Sequence, residues 1–302
     1  NLNNIIDYNF YPTPETKNSN LRHRPIGIGV QGLANVFYEM GISFDSPEAK
    51  EVNKNIFECI YYHALEKSME IARVEGPYST FQGSPASKGI LQFDMWHNDN
   101  SSIKHNMKYD WDKLKMFIRE YGLRNSLLLA PMPTASTSQI LGNYECFEPV
   151  MSNIYTRRVL AGEYLVLNNY LVKELMDLEI WNAELKNELI RFDGSVQNID
   201  IIPDFIKKRY KTAWEIKQKN IIDMSADRGE YICQSQSLNL FIESPSIKVL
   251  TSMHFYAWQK GLKTGIYYLR SRPSSKAIQF TLKPQEVKSE PRVDEPCESC
   301  SG

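Results

Sequence analysis

The sequence predicts an α/β fold, and three observations carry that assignment. Residues 126–130 (SLLLA) form an apolar run without polar alternation, the pattern of a strand buried on both faces. Helical periodicity surrounds it, over 33–40, 46–74, 109–121, 165–190, 204–224 and 252–265. Two more short strands, 233–240 (CQSQSLNL) and 266–270 (IYYLR), stand among these helices. Strands that alternate with helices in this way build a sheet covered by helices.

Composition narrows the function classes. With 42% hydrophobic and 24% charged residues the chain reads as a globular protein, and its 302 residues suffice for a large core. The net charge of −1 offers no basic field for nucleic acid or an anionic membrane, so neither is expected as a partner. No stretch approaches the ~20 apolar residues of a membrane span. Five cysteines are odd in number and sparse, which points to a reducing compartment and a cytoplasmic location. The chain starts at Asn1, with Leu2, Ile5 and Ile6 spaced like the tail of an amphipathic helix, so it is expected to be the C-terminal part of a longer polypeptide.

Taken in order, residues 7–19 read as a Pro- and Asn-containing connection. Gly27-x-Gly29-x-x-Gly32 then matches the dinucleotide-binding expression. Its context does not: Arg22–Pro25 stands where a strand is required, and Asp45 lies in a turn-like FDSPEA. A Gly-rich strand approached closely by another backbone is the better reading. Ser46-Pro47-Glu48 supplies a cap, a proline at the first helical position and an acid in the first turn of a long helix. Cys59 and His63, four apart on that helix, have metal-pair spacing without a second pair, so core packing is expected and no metal site. Residues 75–96 are rich in Gly, Ser and Pro, yet Tyr78, Phe81 and Trp96 should anchor them as an ordered loop. Residues 98–109 read as an exposed insertion. Cys233 is a lone thiol expected to be inert.

The main candidate site follows the buried strand. Pro131 and Pro133 end the ladder, since neither donates an N–H, and Thr134-Ala135-Ser136-Thr137-Ser138 opens the next helix. A helix start with free N–H groups and several hydroxyls seats an anion such as phosphate. Ordinary N-capping is the alternative, but it uses one hydroxyl and leaves the others unexplained. Arg157 and Arg158 downstream suit either a diphosphate or a structural pair, and the sequence does not choose. Beyond Pro273 the composition turns to Lys, Glu, Pro and Ser, which predicts a flexible tail over 283–302. That tail carries Cys297-Glu298-Ser299-Cys300, the sole CxxC. No second cysteine pair makes it a zinc site, whereas a dithiol on a mobile segment suits thiol–disulfide exchange; two incidental thiols are the alternative.

PMPTASTSQILGN, together with RHRPIGIGVQGLA, EGPYSTFQGSPASKGILQFDMW, SNIYTRRVLAGE, CQSQSLN and GLKTGIYYLR, resembles the large, catalytic subunit of class I ribonucleotide reductase of the eukaryotic and viral type. The likeness runs over about residues 1–282 and returns at the last few. It implies the C-terminal half of a ten-stranded α/β barrel surrounded by helices, with 283–302 as a redox-active tail. It further implies that Thr134, Ala135, Ser136 and Thr137 hold the diphosphate of a ribonucleoside diphosphate. Tyr267 and Tyr268, which strand alternation alone would split into one core and one surface residue, become a radical relay in the resembled family. Cys297 and Cys300 become the dithiol that takes electrons from thioredoxin or glutaredoxin. The radical cysteine, the active-site disulfide and the ATP/dNTP effector sites would lie upstream, so this chain alone is expected to be inactive. The metal-radical cofactor would belong to a small-subunit partner, for which the helices at 204–224 and 252–265 are the expected docking elements. A homodimer or higher oligomer is expected of the full chain. Two other readings remain: a nucleotide-binding module without catalysis, and a thiol-redox interaction protein acting through its tail.

Overall fold

The computed structural model describes residues 1–96, 109–160 and 162–272. The expected insertion at 98–109, apart from Tyr109, and the tail with Cys297 and Cys300 lie outside these residues. The described chain is one compact unit, Asn1–Arg272.

The N-terminal region is more helical than its sequence suggests. Helix α1 (Leu2–Tyr8) is followed by α2 (Pro14–His23) inside the segment expected to be a connection. Thr13 nucleates α2: its side chain accepts from the Thr16 amide, Thr16 reciprocates, and Pro14 occupies the first turn. Arg24, buried behind α2, clamps Asp7 with two hydrogen bonds of 2.7 Å and reaches Asn3. This ties α1 and α2 together.

Helix α3 (Leu33–Glu39) and the 29-residue α4 (Pro47–Glu75) match expectation, with Ser46 accepting from the Ala49 amide and Pro47 in the first turn. Tyr78 and Phe81 are buried and hold the following loop as predicted. Asp110 caps α5 (Trp111–Tyr121). The four-residue α6 (Thr137–Ile140) follows, and then two strands that no periodicity signalled, β1 (Ile154–Val159) and β2 (Gly162–Leu167), paired as an antiparallel hairpin.

The single helix expected over 165–190 is instead the end of β2, then α7 (Asn169–Asp177) and α8 (Ala183–Arg191). Asn168 and Asn182 each accept from amides of the following turn and so restart the helix. The helix expected over 204–224 also divides, into α9 (Asp204–Arg209) and α10 (Gln218–Gly229). Other bonds take the backbone between them: the Ala213 amide donates to the distant Val150 carbonyl, and the Thr212 amide donates to the nearby Glu215 carboxylate. Tyr210 stacks on Tyr38 with ring centroids 4.8 Å apart. Strand β3 (Asn239–Phe241), helix α11 (Ile247–Gln259) and strand β4 (Tyr268–Arg270) complete the order.

Formal strands understate the sheet. Four extended segments lie side by side. The amides of Ile26 and Ile28 donate to Leu127 and Leu128, and Ala130 donates back to Ile28, so 26–30 runs parallel to 127–130. Gln234 and Ser237 donate to Leu129 and Pro131, adding 234–237 in the same sense. β3 then pairs with β4 in parallel, Asn239 opposite Tyr268. The order 26–30, 127–131, 234–241, 267–270, with helices between successive segments, is an open parallel wall and not a closed barrel. Gly29 permits the tight contact predicted for the Gly-rich strand, since a Cβ there would stand 3.2 Å from the Pro131 Cα. One apolar core, with Phe37, Leu175, Ile206 and Leu240, lies under α3 and α7–α10. A second, with Phe57, Phe81, Trp111 and Leu129, lies under α4 and α5.

Candidate active site

The predicted anion seat is a single exposed turn. Thr134 sits at φ +54°, and its Oγ1 accepts from the Cys146 amide at 2.8 Å, which pins the turn to the following loop. Ala135, Ser136 and Thr137 face solvent. Their backbone amides meet no backbone acceptor among the described residues. Ser136 occupies the cap position of α6 without a side-chain capping bond, so ordinary capping does not use its hydroxyl. Behind the turn the Ser138 hydroxyl is fully buried and unpartnered. A cluster of free hydroxyls and amides remains, which is the donor set a phosphate needs. Helix α6 is only one turn long, so the donors rather than a macrodipole make the seat.

Tyr267 and Tyr268 stand at the head of β4. Alternation does not separate them: both are half exposed, and their ring centroids are 4.3 Å apart. The adjoining Tyr268 phenol raises the Tyr267 pKa. The Tyr267 amide donates to the Leu238 carbonyl at 2.6 Å, and the Arg270 guanidinium lies 5.1 Å from the Tyr268 ring centroid.

Two residues that the sequence did not single out join the seat to the tyrosines. Glu148, two residues past Cys146, is buried and accepts from Asn239 Nδ2 at 2.6 Å. Asn239 Oδ1 in turn accepts from the Tyr268 amide at 3.1 Å. Burial and the nearby Glu145 push the Glu148 carboxyl up to about 7, against the pull of Arg270 and Arg228. Glu148 also lines a cavity of about 330 Å³ together with Gln139, Asn143 and Tyr155. The available signal was a carboxylate inside the apolar run Cys146-Phe147-Glu148-Pro149-Val150, a place where burial forces a partner.

The remaining candidates have these surroundings. Arg158 forms an ion pair with Glu163 across the exposed hairpin at 2.6 Å, the structural alternative for that residue. His63 bonds Glu66 on its own helix, and the described residues contain no cluster of three potential metal ligands. Cys233 accepts from the Leu128 and Leu129 amides, and burial pushes its thiol pKa up, which matches an inert core residue. Of the two expected docking helices, α10 is packed into the core through Ile221, Ile222 and Met224, whereas α11 leaves Ile247, Phe255 and Trp258 exposed. No described helix is long and apolar enough to cross a membrane.

Comparison with known proteins decides the lineage. The ribonucleotide reductase barrel-domain model matches residues 1–268. The chain belongs to the ribonucleotide reductase family. It is 57% identical to the ribonucleoside-diphosphate reductase large subunit of Trypanosoma brucei brucei, covering 97% of this chain and 36% of that one. The Arabidopsis thaliana large subunit is 58% identical over 98% of this chain and 36% of its own length, and the vaccinia virus one 57% over 100% and 38%. The chain therefore spans a little over a third of the length of these relatives. A solved relative, the Actinobacillus ureae class Id ribonucleotide reductase alpha subunit, superposes with a TM-score of 0.69 at 27% identity, covering 90% of this chain and 44% of that one. Family membership accounts for the open parallel wall as a portion of a reductase barrel, whose strands cannot close from these segments alone.

Proposed function

We propose that this chain is the portion of a ribonucleoside-diphosphate reductase large subunit that seats the substrate diphosphate and carries the tyrosine relay. The observation that carries the reading is the adjoining Tyr267–Tyr268 pair, with ring centroids 4.3 Å apart, tied by Glu148 and Asn239 to the loop of the hydroxyl-rich turn. The free donors of Ala135, Ser136 and Thr137, with Thr134 shaping the turn, suit the two phosphates of a ribonucleoside diphosphate. The reaction replaces the ribose 2′-OH with hydrogen. A tyrosine suits radical transfer because loss of an electron makes its phenolic proton strongly acidic, so both leave together; adjacent phenols in contact provide a path for each. A small subunit supplies the metal-radical cofactor, and the exposed Ile247, Phe255 and Trp258 of α11 are the surface offered to its tail. Cys297 and Cys300 take reducing equivalents from thioredoxin or glutaredoxin in the cytoplasm. The radical cysteine and the ATP/dNTP effector sites belong to the remainder of a full-length, oligomeric protein.

The test is turnover of labelled CDP by the full-length protein with its small subunit, wild type beside Tyr268→Phe. Formation of dCDP by the wild type, lost in the variant while CDP still binds, supports the reading. Equal turnover in both refutes the relay.

A further inference from the structure

The two hydrogen bonds that meet at Asn239 ask opposite things of its amide. The Tyr268 N–H needs an acceptor, and an ionised Glu148 needs a donor. One orientation satisfies both, with Oδ1 toward Tyr268 and Nδ2 toward Glu148. Asn239 and Glu148 are both buried, so no solvent replaces a lost partner cheaply. Asp at 239 lacks the donor, and an aliphatic residue lacks both groups.

We propose that Glu148, acting through Asn239, is a positioning residue that holds the backbone of Tyr268 where the tyrosine pair stays in register. This inference rests on the relay reading above and deepens it. An ionised Glu148 only accepts, so it locks the amide of Asn239 in the orientation that serves Tyr268. A neutral carboxyl also donates. It therefore permits the reversed amide, which presents Nδ2 to the Tyr268 N–H and breaks that bond. The groups facing Glu148 are Glu145 and Cys146 on its own segment, Arg228 from α10, Arg270 from β4, and Tyr144 and Tyr155 across the cavity. Of these, Glu145 opposes ionisation and the two arginines favour it. Ionisation is consequently completed only as the pH rises past about 7.

The experiment uses the full-length protein with its small subunit and CDP as substrate, comparing wild type with Glu148→Ala, Glu148→Gln and Asn239→Asp. Glu148→Ala and Asn239→Asp should lower kcat by about ten- to a hundredfold, the range expected of small misplacements, and leave KM for CDP unchanged. Glu148→Gln offers a donor as well as an acceptor, as the neutral carboxyl does. It should turn over at the lowered rate that the wild type reaches below about pH 7, and keep that rate as the pH rises. Wild-type kcat in Glu148→Ala overturns the inference. So does a Gln variant with the full wild-type kcat above pH 7, or one that shows the wild-type acid limb. Tyr268→Phe run alongside separates the two claims: full activity there removes the relay reading itself, whereas an inactive Tyr268→Phe beside a fully active Glu148→Ala removes only the positioning role.

Discussion

Glu148→Gln also makes a stability prediction whose size follows from the buried site. The carboxyl titrates near 7 in the folded protein against an ordinary value of 4.5. Its folded pKa is raised, so the native state holds the proton more tightly than the unfolded chain. Stability from this group is therefore present below about pH 4.5 and is lost as the pH rises toward 7. Each pKa unit is worth ~1.36 kcal/mol, so the whole penalty is about 3.4 kcal/mol, of which about 2.5 kcal/mol develops between pH 5 and pH 8. Glutamine cannot ionise and escapes it. Its own amide contacts add a constant, which cancels when the variant-minus-wild-type difference is compared at two pH values. For a cooperative unit of the 272 residues Asn1–Arg272 the unfolding entropy is ~0.6 kcal/mol/K, so the gap in Tm should widen by about 4 °C in favour of the variant from pH 5 to pH 8. Thermal melts followed by circular dichroism at both pH values measure it. A gap that stays constant, or narrows toward pH 8, would show that Glu148 is not the buried, weakly acidic group described here.

Substitution at the anion seat should act on binding: Ser136→Ala, which removes a hydroxyl free of any capping bond, should raise KM for CDP several-fold with a small change in kcat, as read from steady-state kinetics. Gly229→Ala should destabilise by about 1–3 kcal/mol in denaturant melts, because the added Cβ would stand 2.6 Å from Trp96 Cη2 in a packed interior. Replacing Cys297 and Cys300 by serine should abolish thioredoxin-dependent turnover and leave turnover driven by a small dithiol such as dithiothreitol largely intact. Cross-links from the small subunit's tail should map to the α11 face at Phe255 and Trp258; cross-links confined to other elements would exclude that surface.

Much of this protein is local in origin and was legible in its residues. Ser46-Pro47 starts α4, the 126–130 run lies between two extended neighbours, and Gly29 marks a close backbone approach, because caps, apolar runs and missing side chains act within a few residues. The exposed hydroxyl-rich turn was legible for the same reason, since its donors are consecutive. The family likewise came from short motifs. Tertiary structure decided the rest. It divided two expected helices where the Asn168 and Ala213 amides found the Asn153 and Val150 carbonyls, which outweighed helical periodicity, whereas the Asn168 and Asn182 caps are local signals already present in the residues. It also placed both tyrosines half exposed, against strand alternation, since β4 begins only at Tyr268. Above all it joined Glu148, Asn239 and Tyr268, which are 91 and 29 residues apart along the chain. A buried carboxylate must find a donor wherever the fold brings one, and no spacing in the sequence specifies which residue that is.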